Sequence, residues 1–346
     1  MRIGRMVKEV TNIKEDRKFM ISIFYPVDIE WKTEHHPTFL DLFFPYIDEA
    51  VNIFKVMGAE ESQLRSIKTN CYNDAPISKN VKNSPVIIYS PGIGVDRDMY
   101  LYNIKKLVHE GYIVITVGPT YDTLFTVFPS RGIVYQNEKV QNIAATDFTS
   151  LKSLMEIRIN DITCLLDSLS DMFSKDRVDL HRIGVIGHSL GGATIFELAK
   201  NDKRIKAGII LDGSLHLLSH EKDVWTPFLS IRQHQSTYQQ MREIWSEEVA
   251  QAYCEGQKLL YDRLTGNKLF VNVTDSDHMS FTDVPFIFSN NADKSVERIH
   301  HVVNELVVGF FDEFLAYKNS DFSHLVNDKS TDSRFSIIDR EGKIEK

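Results

Sequence analysis

The chain has 346 residues, 42% hydrophobic and 25% charged, with 17 Gly and 10 Pro, which excludes a disordered, fibrous or disulfide-stapled scaffold and suits one large α/β core with insertions. Lys and Arg number 40 against 48 Asp and Glu, so the net charge is -8 with no basic block, and nucleic acid is excluded as an expected partner. Cys71, Cys164 and Cys254 lie too far apart for a metal or redox pair, and neither a signal-peptide run nor a membrane-span length of about 18 apolar residues is found, so we expect no metal or cofactor, no integral membrane segment and a cytoplasmic location.

In chain order, Arg5–Val10 and Phe19–Tyr25 read as an antiparallel pair of strands. From Thr38 to Met57, apolar side chains at Leu40, Phe43, Phe44, Ile47, Val51 and Phe54 predict a helix opened by a Thr38/Asp41 capping box and kinked at Pro45. Residues 38–75 are a first candidate cap insertion. The pattern then alternates: strand Pro85–Ser90, helix Asp98–His109 closed by Gly111, strand Tyr112–Val117, helix Thr149–Leu169, strand Arg182–Ile186, helix Gly191–Lys200. Strands Lys206–Leu211 and Phe228–Ile231 follow, then a helical segment at 236–264, a second candidate cap, and strand Lys268–Val273. A last helix is predicted by Ile299, Val302, Val303, Leu306, Val307, Phe310, Phe311 and Phe314 at i, i+3, i+4, i+7 spacing. Strands separated by helices of this length imply an α/β fold with a mainly parallel, doubly wound sheet, an antiparallel N-terminal edge and helical cap insertions. One domain is expected over residues 1–322, with residues 323–346 a loosely held polar tail.

The chemistry gathers at Gly187-His188-Ser189-Leu190-Gly191, a GxSxG match that follows the apolar strand Ile183-Gly184-Val185-Ile186 and opens a helix. A serine in so sharp a turn needs neighbours two residues either side without side chains, which Gly187 and Gly191 supply, and its hydroxyl then projects above the sheet at a helix N-terminus. A serine hydroxyl is a poor nucleophile without a base, itself oriented by an acid, in the chain order Ser, acid, His. Beyond Ser189, His300 and His301 fall within the last helix and His324 in the tail, whereas His278 follows the strand Leu269–Val273 after a short turn, at the carboxyl edge of the sheet. Asp212 ends the strand after the nucleophile's helix, while the chain after the next strand, Arg232-Gln233-His234-Gln235-Ser236, offers no carboxylate. Asp275 and Asp277 are local alternatives to Asp212 on the turn before His278. Backbone donors for an oxyanion hole are expected at Leu190, the residue after the serine, and at Ile93 in the turn Pro91-Gly92-Ile93-Gly94.

These segments, with Val86–Gly94, Leu211-Asp212-Gly213 and Asp277–Asp283, place the chain's resemblance in the α/β-hydrolase superfamily, and more narrowly it resembles the plasma-type platelet-activating-factor acetylhydrolases and related bacterial carboxylic ester hydrolases. The resemblance runs from about Ser84 to Phe288 and implies Ser189 as nucleophile, Asp212 as acid, His278 as base and Ile93 and Leu190 as oxyanion donors. It departs from that family at Pro91, where a His is usual, and in the helical segment between Asp212 and His278. The expected function is a cofactor-free serine hydrolase of small or lipid-like carboxylic esters, an esterase or lipase working through an acyl-enzyme. The alternatives are cleavage of an amide, lactone or polyester on the same scaffold, or a non-catalytic binding module. Phe43, Phe44 and Trp245, with Met241, Ile244, Val249, Tyr253 and Leu260, are candidates to roof an acyl or aromatic pocket, the alternative being that they pack on the body of the domain.

Overall fold

The structure, a computed structural model, describes residues 2–288, 294–318, 322 and 333–345. Its strands are β1 (Ile3–Asn12), β2 (Arg17–Pro26), β3 (Cys71–Asn73), β4 (Ser84–Ser90), β5 (Ile113–Gly118), β6 (Phe125–Phe128), β7 (Gly132–Tyr135), β8 (Val178–His188), β9 (Ile205–Leu211), β10 (Phe228–Arg232), β11 (Lys268–Val273) and β12 (Phe335–Ile337). Ten of them make one sheet in the order β12-β11-β10-β9-β8-β4-β5-β2-β1-β3, and β6 and β7 form a separate hairpin.

From β5 through β4, β8, β9 and β10 to β11 every neighbouring pair is parallel. The N-terminal strands β1 and β2 attach antiparallel beside β5. Parallel strands covered on both faces carry near-continuous apolar sequence, and β4, Ser-Pro-Val-Ile-Ile-Tyr-Ser, is buried at every residue. Its side chains alternate between two cores: Ile87 and Tyr89 join helices Leu101–His109 and Lys294–Phe314 on one face, Val86 and Ile88 join helices Phe148–Met172 and Leu190–Ala199 on the other. Burying a side chain such as Leu306 or Phe310 of the last helix, both sealed in the core, stabilises the fold by about 1.5–3 kcal/mol. Among the described residues no helix is long and apolar enough to cross a membrane.

Two expectations are corrected. The helix expected from Thr38 to Met57 is split into a 3-10 turn, Phe39–Phe43, and a helix, Ile47–Val56, because Pro45 lacks the amide hydrogen a continuous helix needs there. The capping box is present, Asp41 accepting hydrogen bonds from Thr38 N at 2.7 Å and Thr38 Oγ1 at 3.0 Å. The tail expected from residue 323 includes residues 323–332, which lie outside the described residues, but residues 333–345 depart from it. Phe335–Ile337 pairs antiparallel with β11, whose outer edge would otherwise expose a row of unpaired peptide groups, and Phe335 and Ile338 are buried. Beyond it, Gly342 accepts a hydrogen bond from Ser236 Oγ at 2.8 Å, which ties the end of the described chain to the start of the segment 236–264.

That segment consists of helices Tyr238–Ile244 and Glu247–Arg263. It lies so close to the Leu215–Leu217 turn after Asp212 that a Cβ built at Gly256 would stand 2.0 Å from the Leu215 carbonyl oxygen. Replacing a helical Gly by Ala ordinarily stabilises by up to about 1 kcal/mol. Here the sign reverses: Gly256→Ala is expected to destabilise the protein by about 1–3 kcal/mol in urea unfolding, and an unchanged or raised midpoint would show that the helix does not seat on that turn.

Candidate active site

Ser189 sits at the junction of β8 and the helix Leu190–Ala199 with φ 54° and ψ -122°, a conformation that disfavours any residue with a side chain. Crowding around it explains the glycines: a Cβ at Gly187 would meet the Gly191 carbonyl oxygen at 2.2 Å, and one at Gly191 would meet the Ser90 carbonyl oxygen at 2.2 Å. The bend is held by the Ser189 N–H donating to Leu211 O at 3.1 Å and by the Ser189 carbonyl accepting from Gly192 N and Ser214 N, each at 2.9 Å.

Because β8, β9 and β11 run parallel, their carboxyl ends bring Ser189, Asp212 and the His278 loop to one edge of the sheet, where all three line a cavity of about 470 Å³. His278 Nδ1 lies 2.7 Å from Asp212 Oδ2. The Ser189 hydroxyl makes no hydrogen bond among the described residues, so the structure does not join it to the His278 imidazole. Burial pushes the Asp212 carboxyl up, but the hydrogen bond from His278, its charge and that of Arg232 outweigh it and hold the group well below the usual carboxylate range.

The local alternatives are placed elsewhere. Asp277 caps the short turn His278–Phe281, accepting from Ser280 N and Ser280 Oγ at 2.8 Å each, and so shapes the loop that carries His278. Asp275 is exposed and pairs with Arg298 at 3.0 Å. The end of β10, which carries no carboxylate, supplies a counter-ion for Asp212 instead: Arg232 Nε donates to Asp212 Oδ1 at 3.1 Å, and Gln233 N to the same oxygen at 3.3 Å.

His188, the variable residue of the elbow, has a role no sequence motif announces. It is fully buried, its Nε2–H donates to the His278 carbonyl at 3.0 Å, and its Nδ1 therefore accepts from the Tyr100 hydroxyl at 3.1 Å. Tyr100 in turn accepts from Gly92 N at 2.9 Å, so one hydrogen-bonded chain joins the Gly92 turn to the His278 loop. Burial, followed by the charge of His278, holds the His188 imidazole down to about 3 from its ordinary 6.5, so it is neutral, 4.6 Å ring to ring from His278.

The peptide N–H groups of Ile93 and Leu190 have no acceptor among the described residues, and both residues line the cavity. Of the residues expected to roof it, Trp245, Val249 and Tyr253 line the cavity. Phe43 and Phe44 do not: Phe43 is 2% exposed in an aromatic cluster with Phe39, Phe54 and Phe125, and Phe44 points away at 62% exposure. Phe54, on the helix after Pro45, and Met57, just past its end, line the cavity in their place. Met241 and Leu260 are core residues and Ile244 is exposed. Among the described residues no group of three or more His, Cys, Asp or Glu is arranged to hold a metal.

The model of the family described as platelet-activating factor acetylhydrolase, isoform II, matches residues 5–121 and 126–306, well over half the chain. A platelet-activating factor acetylhydrolase of Gallus gallus is 22% identical over 77% of this chain and 69% of its own length. A probable 1-alkyl-2-acetylglycerophosphocholine esterase of Arthroderma benhamiae is 29% identical over 38% of this chain, so the matched stretch spans only 32% of that relative. Among solved structures, a ferulic acid esterase from Streptomyces cinnamoneus superposes with a TM-score of 0.76 over 98% of this chain and 96% of its own at 23% identity, a likeness of fold.

The neutrality of His188 has a signed consequence for stability. As pH falls below 6.5 the unfolded chain binds a proton at this imidazole and the folded chain does not until about 3, so stability is lost through that window at up to about 1.4 kcal/mol per pH unit. His216 and His300, lowered by burial to about 4, act in the same sense, and Asp283, raised by burial to about 6, acts in the opposite one. The comparison is therefore wild type against His188→Gln. The slope of unfolding free energy against pH, from urea titrations between about pH 6 and pH 4, is expected to be shallower in the variant, and equal slopes would contradict a neutral buried His188.

Proposed function

The chain belongs to the platelet-activating factor acetylhydrolase isoform II family, and on that premise we propose that it is a serine-dependent hydrolase of small or lipid-like carboxylic esters. The observation that carries this reading is the convergence of Ser189, His278 and Asp212 on one cavity, with the imidazole held against a buried carboxylate at 2.7 Å and, beside the serine, two peptide N–H groups that have no acceptor among the described residues.

In the proposed mechanism Ser189 Oγ attacks the ester carbonyl carbon while His278 Nε2 takes the hydroxyl proton. Asp212 keeps the other proton on Nδ1 and stabilises the imidazolium, its charge supported by Arg232. The carbonyl oxygen becomes an oxyanion, for which Ile93 N–H and Leu190 N–H are the available donors. The C–O bond breaks as His278 returns its proton to the departing alkoxide, and a water activated by the same imidazole hydrolyses the acyl-enzyme. Phe54, Met57, Leu124, Leu151, Trp245 and Val249 make the cavity wall mainly apolar, which favours an ester whose acyl or alcohol portion is itself apolar.

A fluorophosphonate probe is expected to label the wild-type protein at one residue and to leave Ser189→Ala unlabelled. Asp212→Asn is expected to lower kcat by about a hundredfold or more, since the amide cannot hold the imidazole in the required tautomer. Labelling of Ser189→Ala, or full ester turnover by it, would reject the nucleophile. A large loss in Asp277→Asn with none in Asp212→Asn would reassign the acid.

A further inference from the structure

We propose that Arg158 is a positioning residue that aims the oxyanion-hole peptide, an inference that rests on the reading of Ile93 N–H as an oxyanion donor. Arg158 lies in the middle of the helix Phe148–Met172, on its buried face, with its side chain 2% exposed. A guanidinium taken out of water there is costly unless it is paired and hydrogen-bonded. Its Nε donates to Asp122 Oδ2 at 2.6 Å, Nη1 to Pro91 O at 2.5 Å and Nη2 to Gly92 O at 3.4 Å. The cation is thus spent on one carboxylate and on two successive carbonyls of the turn before Ile93.

The planarity of the peptide bond turns this contact into aim. Gly92 C=O and Ile93 N–H belong to one rigid trans unit and point in opposite directions, so holding the carbonyl toward Arg158 Nη2 and Val95 N, each at 3.4 Å, sends the N–H away from them. The preceding peptide is fixed at both ends, its Pro91 carbonyl by Arg158 and its Gly92 N–H by the Tyr100 hydroxyl. The following one is fixed by Gly94 N–H donating to Asp122 O at 3.0 Å. Asp122 therefore holds Arg158 with its side chain and the far side of the turn with its main chain. Of the N–H groups at Gly92, Ile93 and Gly94, that of Ile93 alone has no acceptor among the described residues, and Ile93 lines the cavity. A cation on the carbonyl also polarises the peptide toward a more positive N–H, which a developing oxyanion rewards more than a neutral ground-state carbonyl does.

The test compares wild type with Arg158→Lys, Arg158→Gln and Asp122→Asn. Folded enzyme is counted by titrating each to completion with a fluorophosphonate, and each is then measured for kcat, KM and inhibition by a trifluoromethyl ketone, which mimics the tetrahedral intermediate. Loss of aim is expected to lower kcat per titrated site by about ten- to a hundredfold with KM nearly unchanged, because the donor matters in the transition state and little in the ground state. The inhibition constant of the ketone is expected to rise by the same factor as kcat/KM falls, a correlation that a merely structural role would not produce. Turnover per titrated site and ketone inhibition both at wild-type levels would overturn the proposal, and if the Arg158 variants fail to fold, Asp122→Asn decides it by the same readouts. A wild-type protein that the fluorophosphonate leaves unlabelled would instead remove the hydrolase reading, and this inference with it.

Discussion

A serine held at φ 54° costs about 1–3 kcal/mol of local strain, and it persists because what surrounds it leaves no alternative. β8 is clamped between β4 and β9, so the chain arrives at Ser189 from a fixed direction, and the helix Leu190–Ala199 departs along a face where Gly191 packs against the Ser90 and Pro91 carbonyls at the end of β4. The Ser189 carbonyl, turned out of the strand, accepts from Ser214 N, two residues past Asp212, so the bend that exposes the serine also locates the Asp212 loop. The same bend leaves Leu190 N–H, at the helix start, without an acceptor among the described residues.

The electrostatics follow from burying one carboxylate beside that bend. Asp212 is 2% exposed, and an uncompensated charge at such a place would cost several kcal/mol. Arg232, the Gln233 peptide and His278 compensate it, and Arg232 is itself covered by the Tyr253 ring at 4.8 Å. Two imidazoles lie 4.6 Å apart, and the buried one is neutral, so a proton arriving on His278 meets an anion behind it and no second cation beside it. His278, with its side chain 32% exposed, remains open to the cavity.

Much of this was legible in the sequence where function is tied to strand order. A glycine-bracketed serine after an apolar strand, an aspartate at the next strand's end and a histidine just past a later strand are local patterns, and a parallel sheet brings such ends together. What escaped were long-range polar contacts. Arg158 and Asp122 are 36 residues apart, Tyr100 and His188 are 88 apart, and each residue taken alone reads as an ordinary helical or loop position. The end of β10 carries no acid but a cation, Arg232, whose pairing with Asp212 no local pattern announces. Phe43 misled through its helical spacing, since Pro45 breaks the segment and turns Phe43 into the aromatic core while Phe54 and Met57 reach the cavity. At the other end, the apolar trio Phe335, Ile337 and Ile338 in a polar stretch was the signal that an edge strand closes the sheet.

The most direct measurement of the central claim is a crystal structure of the protein carrying a covalent alkyl phosphonate. The account predicts phosphorus bonded to Ser189 Oγ, the phosphoryl oxygen about 2.7–3.1 Å from both Ile93 N and Leu190 N, and His278 Nε2 within hydrogen-bond reach of an ester oxygen. An adduct on another residue, or a phosphoryl oxygen turned away from both peptide donors, would contradict it.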